Sequence, residues 1–214
     1  MRTLAIETAT EACSIALFEG AELLANEHVE LGRGHAERLV PMIAALPNKG
    51  KAERILVSLG PGSFTGVRIG IATARALGIA WGAEVLGYRT LSLVARSDRK
   101  LVATGAGSQG ADGSGQSLVC MNGGHGEWFV QAFDHDGRPL GAEQSLPPEL
   151  ASERFDQQFV IGSRAEEFVS RRGYGDAHPT LPDARNAIRL REEELSQDLS
   201  PIYGRGPDAK LPGT

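Results

Sequence analysis

The stretch Ser58-Leu-Gly-Pro-Gly-Ser-Phe-Thr-Gly-Val-Arg-Ile-Gly70 holds the residues most suggestive of chemistry. Its glycines and proline crowd between an apolar run, Ile55-Leu56-Val57, and a long Ala/Gly/Ile-rich segment, an order that predicts strand, tight turn and helix N-terminus. Gly60, Gly62 and Gly66 let the backbone reach positive φ or approach another segment or a ligand closely. Pro61 fixes one φ of the turn, and Ser63 or Thr65 is suited to cap the helix that follows. Free N–H groups at a positive helix end are a place to hold an anion. Gly60, Gly62, Ser63, Thr65 and Gly66 are therefore candidate anion- or nucleotide-binding residues.

The motif is none of the standard ones. No Gly-Lys-Ser/Thr follows, as a Walker A loop requires, and Gly60-x-Gly62-x-x-x-Gly66 has one residue too many for a dinucleotide loop. Ser63 stands one place early for a Gly-x-Ser-x-Gly nucleophile elbow. A turn whose glycines serve packing alone carries equal weight. A hydrolase using Ser63 needs a base within hydrogen-bond reach, and the histidines at 28, 35, 125, 135 and 178 form no triad signature. His28 and His35 read as surface or helix-entry polar groups, and no His-x-x-x-His pair is present to hold a metal.

The elements that must position these residues follow from patterning. Leu4–Ile6, Ser14–Phe18 and Leu23–Val29 predict an antiparallel meander around polar turns. His35–Leu46 is helical by its Leu39, Ile43 and Leu46 stripe, with Pro41 restricting where it begins. Strand 54–58, the glycine turn, helix 67–81, strand 85–87 and a helix from Thr90 complete a first lobe, 1–103. Residues 104–117, TGAGSQGADGSGQS, read as a Gly/Ser-rich connector. A second cycle over 118–214 begins with a hairpin, 118–121 and 128–134, across Asn122-Gly-Gly-His-Gly126, where Asn-Gly is a turn signal. Strand 159–161 and helices 164–172 and 183–195, the last preceded by Pro182, follow. A hairpin and then alternating helices and strands, occurring twice, predict two related α/β lobes.

Composition narrows the functions. A chain of 214 residues with 41% hydrophobic and 23% charged content can bury a substantial core. No apolar run approaches the roughly 20 residues that span a membrane, and Met1-Arg-Thr-Leu-Ala-Ile lacks a signal-peptide core, so a cytoplasmic protein is expected. Cys13 and Cys120 read as reduced core residues without metal spacing. The net charge of −5, with basic residues scattered among acids, argues against a chain that grips RNA by itself.

The string GPGSFTGVRIG resembles the signature of the TsaB (YeaZ) family, the partner subunit in bacterial biosynthesis of threonylcarbamoyladenosine on tRNA. The opening Leu4-Ala-Ile-Glu-Thr-Ala-Thr-Glu-Ala-Cys-Ser-Ile-Ala-Leu17 is similar to that family's first hairpin. The closing Ser200-Pro-Ile-Tyr-Gly-Arg-Gly-Pro-Asp-Ala209 is similar to its Pro-x-Tyr-x-Arg-x-x-x-Ala segment. The resemblance implies the two-lobed fold of actin-like ATPases and sugar kinases (ASKHA, ribonuclease H-like). It implies a non-catalytic scaffold for threonylcarbamoyl transfer to N6 of adenosine 37, with no cofactor and no metal. The implied partners are a TsaD-like catalytic transferase subunit and a TsaE-like ATPase, with tRNA reached only indirectly; for the isolated chain, monomer and homodimer both stay open. His35, Arg38, Leu39, Ile43, Arg68, Ile71 and Arg75, on helices of the first lobe, are the implied partner interface.

Two segments depart from what the resemblance implies. ATP-using relatives of the fold carry Asp-x-Gly-Thr in the first hairpin, where this chain has Glu7-Thr8-Ala9-Thr10. Glu7 replaces the family's usual Asp, and Ala9 puts a Cβ where backbone should approach phosphate. Glu7, Thr8 and Thr10 remain nucleotide-binding candidates, and with the Gly60–Gly66 turn they carry the alternative, an ATP-dependent phosphotransferase. Asn122-Gly-Gly-His-Gly-Glu-Trp-Phe129 stands where the family has Asp-Ala-Arg-Arg-Gly-Glu-Val-Tyr, losing the acid and both arginines.

Overall fold

The computed structural model describes residues 1–97 and 115–204, so most of the expected connector, and the closing block beyond Gly204, lie outside the described residues. Strands β1 (Arg2–Glu7), β2 (Ala12–Glu19) and β3 (Glu22–Glu30) form the predicted meander, and β4 (Arg54–Ser58) and β5 (Glu84–Tyr88) add to β1 in parallel, giving the order β3-β2-β1-β4-β5. Helices α1 (His35–Ala45) and α2 (Phe64–Trp81) cover one face of this sheet. With both faces covered, β1 and β4 are near-continuous apolar runs, as buried parallel strands require. Pro41 lies inside α1, whose turns hold through the packing of Leu39, Met42 and Ile43 on the sheet.

The second half repeats the plan. Strands β6 (Ser117–Gly124) and β7 (Glu127–Phe133) form the hairpin, β8 (Gln144–Leu146) extends it, and β9 (Phe159–Ile161) and β10 (Asp176–His178) join β6 in parallel, giving β10-β9-β6-β7-β8. Read outward from the first strand of each half, the two orders are identical, which is the duplicated topology of the actin-like fold. Helices α4 (Pro148–Arg154) and α5 (Ala165–Arg172) pack on the second sheet, with Phe168 against Trp128. The short polar elements β8, α4 and β10 carry too little periodicity to be read from sequence.

Helix α3 (Thr90–Ala95) joins the lobes: Leu93 packs with the first sheet, and Leu91, Val94 and Ala95 pack with Val119, Phe133 and Ile161 of the second. The helix expected over 183–195 is instead two 3-10 turns, Ala184–Arg189 and Glu192–Glu194, parted by extended residues. Ala184 and Ala187 are both buried against Ala5, Ala16, Phe18 and Leu56. Spacing of three aligns such residues on a 3-10 turn, so contact with the first sheet selects that geometry. Beyond it, Ser196 bridges to Gly87, and the Ile202 N–H donates to the Leu59 carbonyl at 2.7 Å.

The glycine turn is fixed by its contact with the β1–β2 turn. The Ser63 N–H donates to the Ala9 carbonyl at 2.6 Å, and the Thr8 hydroxyl donates to the Gly66 carbonyl at 2.8 Å. A Cβ on Gly62 would overlap the Ala9 carbonyl oxygen, and one on Gly66 the Thr8 carbonyl oxygen. Helix α2 starts at Phe64, three residues earlier than expected, with Ser63 as its cap: the Ser63 hydroxyl accepts from the Gly66 N–H at 3.2 Å. Gly66→Ala, which in an exposed helix would gain about 1 kcal/mol, is expected here to cost at least 2 to 3 kcal/mol through overpacking. Urea unfolding checks this as a lowered midpoint at unchanged slope.

Candidate functional site

The parallel strands β1, β4 and β5 end side by side, and each end supplies a polar side chain: Glu7, Ser58 and Tyr88, with Thr90 at the start of α3. The carboxyl ends of such strands are where α/β folds build sites. Here the cluster is buried. Glu7 Oε1 accepts from the Ala9 N–H at 2.7 Å, and the Tyr88 hydroxyl lies 3.3 Å from Glu7 Oε2 and 2.9 Å from the Ile6 carbonyl. The Ser58 and Thr90 hydroxyls are hydrogen-bonded at 2.8 Å, and Ser58 also accepts from the Gly60 N–H. Burial pushes the Glu7 carboxyl up from 4.5 to about 7, against the smaller opposing effect of the Ala9 N–H and the Ser58 and Tyr88 hydroxyls. The Tyr88 phenol is raised well above its ordinary value by its own burial and by Glu7. Ser58, Tyr88 and Thr90 are absent from the expected site because only strand pairing brings them to Glu7.

In front of this cluster a cleft of about 870 Å³ opens between the lobes, within the range of small-molecule sites. Thr10 and Glu11 of the β1–β2 turn and Ser63 and Phe64 of the glycine turn form one wall; Asn122, His125 and Ser163 face them, over Met121 and Phe129. Of the expected anion-binding residues, Thr10, Gly62 and Ser63 reach this cleft. Glu7, Thr8, Gly60 and Gly66 are buried, and Thr65 is exposed on the first turn of α2. Thr10 Oγ1 accepts from the Ala12 N–H at 3.3 Å.

On the facing hairpin the connection is His125-Gly126, with φ of 51° and 83°, rather than the expected Asn122-Gly123. Two positive φ values match the right-handed twist of a tight hairpin. Asn122 instead caps the turn from within, its Oδ1 accepting from the Gly124 N–H at 3.2 Å.

The helices of the first lobe divide differently from the expected interface. Leu39, Ile43 and Ile71 are buried against their own sheet, and His35 is buried with Nε2 3.2 Å from the Ala12 carbonyl oxygen. Arg38 donates to Glu27 at 2.8 Å on the surface. Arg68 lies with its guanidinium carbon 3.6 Å from the Phe64 ring centre and donates through Nε and Nη2 to the Tyr203 hydroxyl at 3.0 and 2.8 Å. Arg75 donates to the Leu199 carbonyl at 3.4 Å. The outward stripe is the adjacent one: Val40 and Ala44 on α1, with Ala72, Ala76 and Ile79 on α2.

The Glu7 environment sets a pH dependence. Its folded pKa lies above the unfolded value, so its stabilising contribution is complete below about 4.5 and is lost as pH rises through about 7. The loss amounts to about 3 kcal/mol over that window. Glu7→Gln, which holds the neutral shape at every pH, is expected to flatten stability between pH 5 and 8 by an amount of that order, read from chemical denaturation across pH. An unchanged slope in the variant contradicts it.

The chain is similar to known proteins over nearly all of its length. The profile of a family described as "TsaD: tRNA N6-adenosine threonylcarbamoyltransferase" matches residues 27–139. The tRNA threonylcarbamoyladenosine biosynthesis protein TsaB of Escherichia coli (strain K12) is 38% identical over 220 positions, covering 94% of this chain and 85% of that protein. The protein of the same name from Haemophilus influenzae is 29% identical over 238 positions, covering 98% and 97%. The solved structure of YeaZ from Pseudomonas aeruginosa superposes with a TM-score of 0.74 at 25% identity, covering 94% of this chain and 99% of that one. With its glycine turn, duplicated sheets and full-length similarity to these proteins, the chain belongs to the TsaB (YeaZ) family.

Proposed function

We propose that this chain is the non-catalytic scaffold subunit that supports threonylcarbamoyl transfer to N6 of adenosine 37 in tRNAs. Membership of the TsaB family ties it to tRNA threonylcarbamoyladenosine biosynthesis. The observation that carries the scaffold reading is the closed turn at the end of β1. There the Ala9 and Thr8 carbonyls are covered by Gly62 and Gly66, and Glu7 is fully buried with its oxygens engaged by Ala9 and Tyr88. A phosphate loop needs exposed N–H groups and an ionised carboxylate facing the cleft, and Glu7 has neither exposure nor a full charge at neutral pH.

What the chain offers a partner is the outer face of α1 and α2. Val40 is 55% and Ile79 87% exposed, and Ala44, Ala72 and Ala76 beside them are small enough to let another helix approach closely. A TsaD-like transferase subunit is the partner this face suits, and through that pair a TsaE-like ATPase is brought in. In isolation the same face supports a homodimer. The charge of −5 leaves tRNA contact to the partner. Among the described residues no helix is long and apolar enough to cross a membrane. The scaffold acts by binding one arrangement of its partner better than others, the only way a bound protein shifts such an equilibrium.

The deciding test is an omission assay with tRNA, threonine, bicarbonate, ATP and the other pathway proteins, scoring modified adenosine. Dependence on this chain, with no ATP turnover by the chain alone, is the expected result; full modification without it, or turnover abolished by Glu7→Ala, favours the phosphotransferase. Ala76→Arg places a long charge on the proposed contact face. It is expected to leave the unfolding midpoint within about 0.5 kcal/mol of the parent and to weaken partner binding at least about tenfold, measured by calorimetric titration.

A further inference from the structure

Arg96, where α3 ends, is 1% exposed, an unusual place for a guanidinium. Its Nη2 donates to Glu194 Oε2 at 2.5 Å and its Nη1 to the Asp136 carbonyl at 2.6 Å. Arg191 donates to that same carbonyl at 2.8 Å and, through its backbone N–H, to Glu194 Oε2 at 2.9 Å. Arg189 donates to the Arg96 carbonyl at 2.9 Å. Gly137 packs on the guanidinium so closely that a Cβ there would stand 2.9 Å from Nη1. One buried charge thus gathers three separate parts of the chain.

Their positions give the cluster a mechanical meaning. Asp136 and Gly137 follow the end of β7 at Phe133, whose partner Ser117 starts β6, whereas the other end of that hairpin, Asn122, lines the cleft. Glu192, in the turn shared with Glu194, pairs at 2.6 Å with Arg54 at the start of β4, the end opposite Ser58 and the glycine turn. The Arg96 cluster therefore lies at the base of both lobes, and the cleft at their tips. Between base and tips run the apolar seam of α3 against the second sheet and the Arg89–Glu143 ion pair at 3.1 Å.

We infer that Arg96 is a hinge clasp: by tying the Asp136–Gly137 turn of the second lobe to the 191–194 segment seated on the first, it sets the angle between the lobes and so the width of the cleft. The clasp is specific because its directional hydrogen bonds are buried, where they leave few alternative arrangements. Apolar packing along α3 allows small sliding; the guanidinium does not.

The test places spin labels on Glu11→Cys and His125→Cys, exposed on opposite walls of the cleft, and reads their distance distribution by pulsed electron–electron resonance. The native Cys13 and Cys120 are buried. Arg96→Met and, separately, the shape-preserving Glu194→Gln are expected to lengthen the mean distance or broaden the distribution at least about twofold. Phe168→Leu, which weakens the second lobe's own core far from the clasp, is expected to leave it unchanged. Distributions of Arg96→Met and Glu194→Gln that superpose on the parent overturn the inference. Should Arg96→Met not fold, the Glu194→Gln distribution decides in the same way, and a Phe168→Leu distribution as broad as that of the clasp variants also overturns it.

Discussion

The rest of the first lobe depends on one backbone-to-backbone approach, that of the glycine turn to the turn between β1 and β2. Gly62 and Gly66 present bare Cα atoms to the carbonyls of Ala9 and Thr8, and Ser63 and Thr8 close the contact with hydrogen bonds. No other residue type fits at either position, because the space a Cβ needs is filled by peptide oxygen. From this contact follow the start of α2 at Phe64, the burial of Glu7 behind it and the flat wall it gives the cleft. Within the turn, the Ser63 and Gly66 N–H groups are taken up by the Ala9 carbonyl and the Ser63 hydroxyl.

The second constraint is that the segment after the second sheet returns to the first. After building the second sheet the chain crosses back, seats Ala184 and Ala187 against Ala5, Ala16, Phe18 and Leu56 of the first sheet, and runs beside β5 and α2 to Tyr203. The lobes are joined by more than one connection as a result: α3 packs between the sheets, and the return segment is pinned by Asp183, which accepts from Arg185 at 2.6 Å and from the Ser14 hydroxyl at 3.5 Å. Burial pushes the Asp183 carboxyl up, but hydrogen bonds from Arg185 Nε and Nη2 to its Oδ2, and from the Arg185 N–H to its Oδ1, hold it below its usual range. Such ties hold the return segment to the first sheet.

The outer face of α1 and α2 leaves Val40 and Ile79 exposed beside small residues. Arg68 and Arg75 belong to the tail that crosses α2 as much as to that face, since both are held by residues 199–203. Small and branched apolar residues remain exposed between them, the composition that permits close helix packing.

Much of the fold was legible in the residues. Period-two runs gave the meander, an Ile-Leu-Val run before a glycine turn gave β4 and α2, and the recurrence of hairpin, helix and strand gave two lobes, because local pattern records which face each element buries. The glycine turn was visible for the same reason: glycine spacing reports where a Cβ is excluded. What excludes it was not, for the partner of Gly62 and Gly66 is a turn more than fifty residues earlier. That the Leu39, Ile43 and Leu46 stripe of α1 faces its own sheet rather than a partner also waited on the sheet beneath. The sequence by itself determined the longer strands and helices of both lobes and the family resemblance. Only the tertiary structure decided that Glu7 joins Ser58 and Tyr88 in a buried cluster, that 184–194 folds as 3-10 turns, and that Arg96 meets Glu194. Each of these rests on contacts between residues far apart in the chain, and no local pattern encodes them.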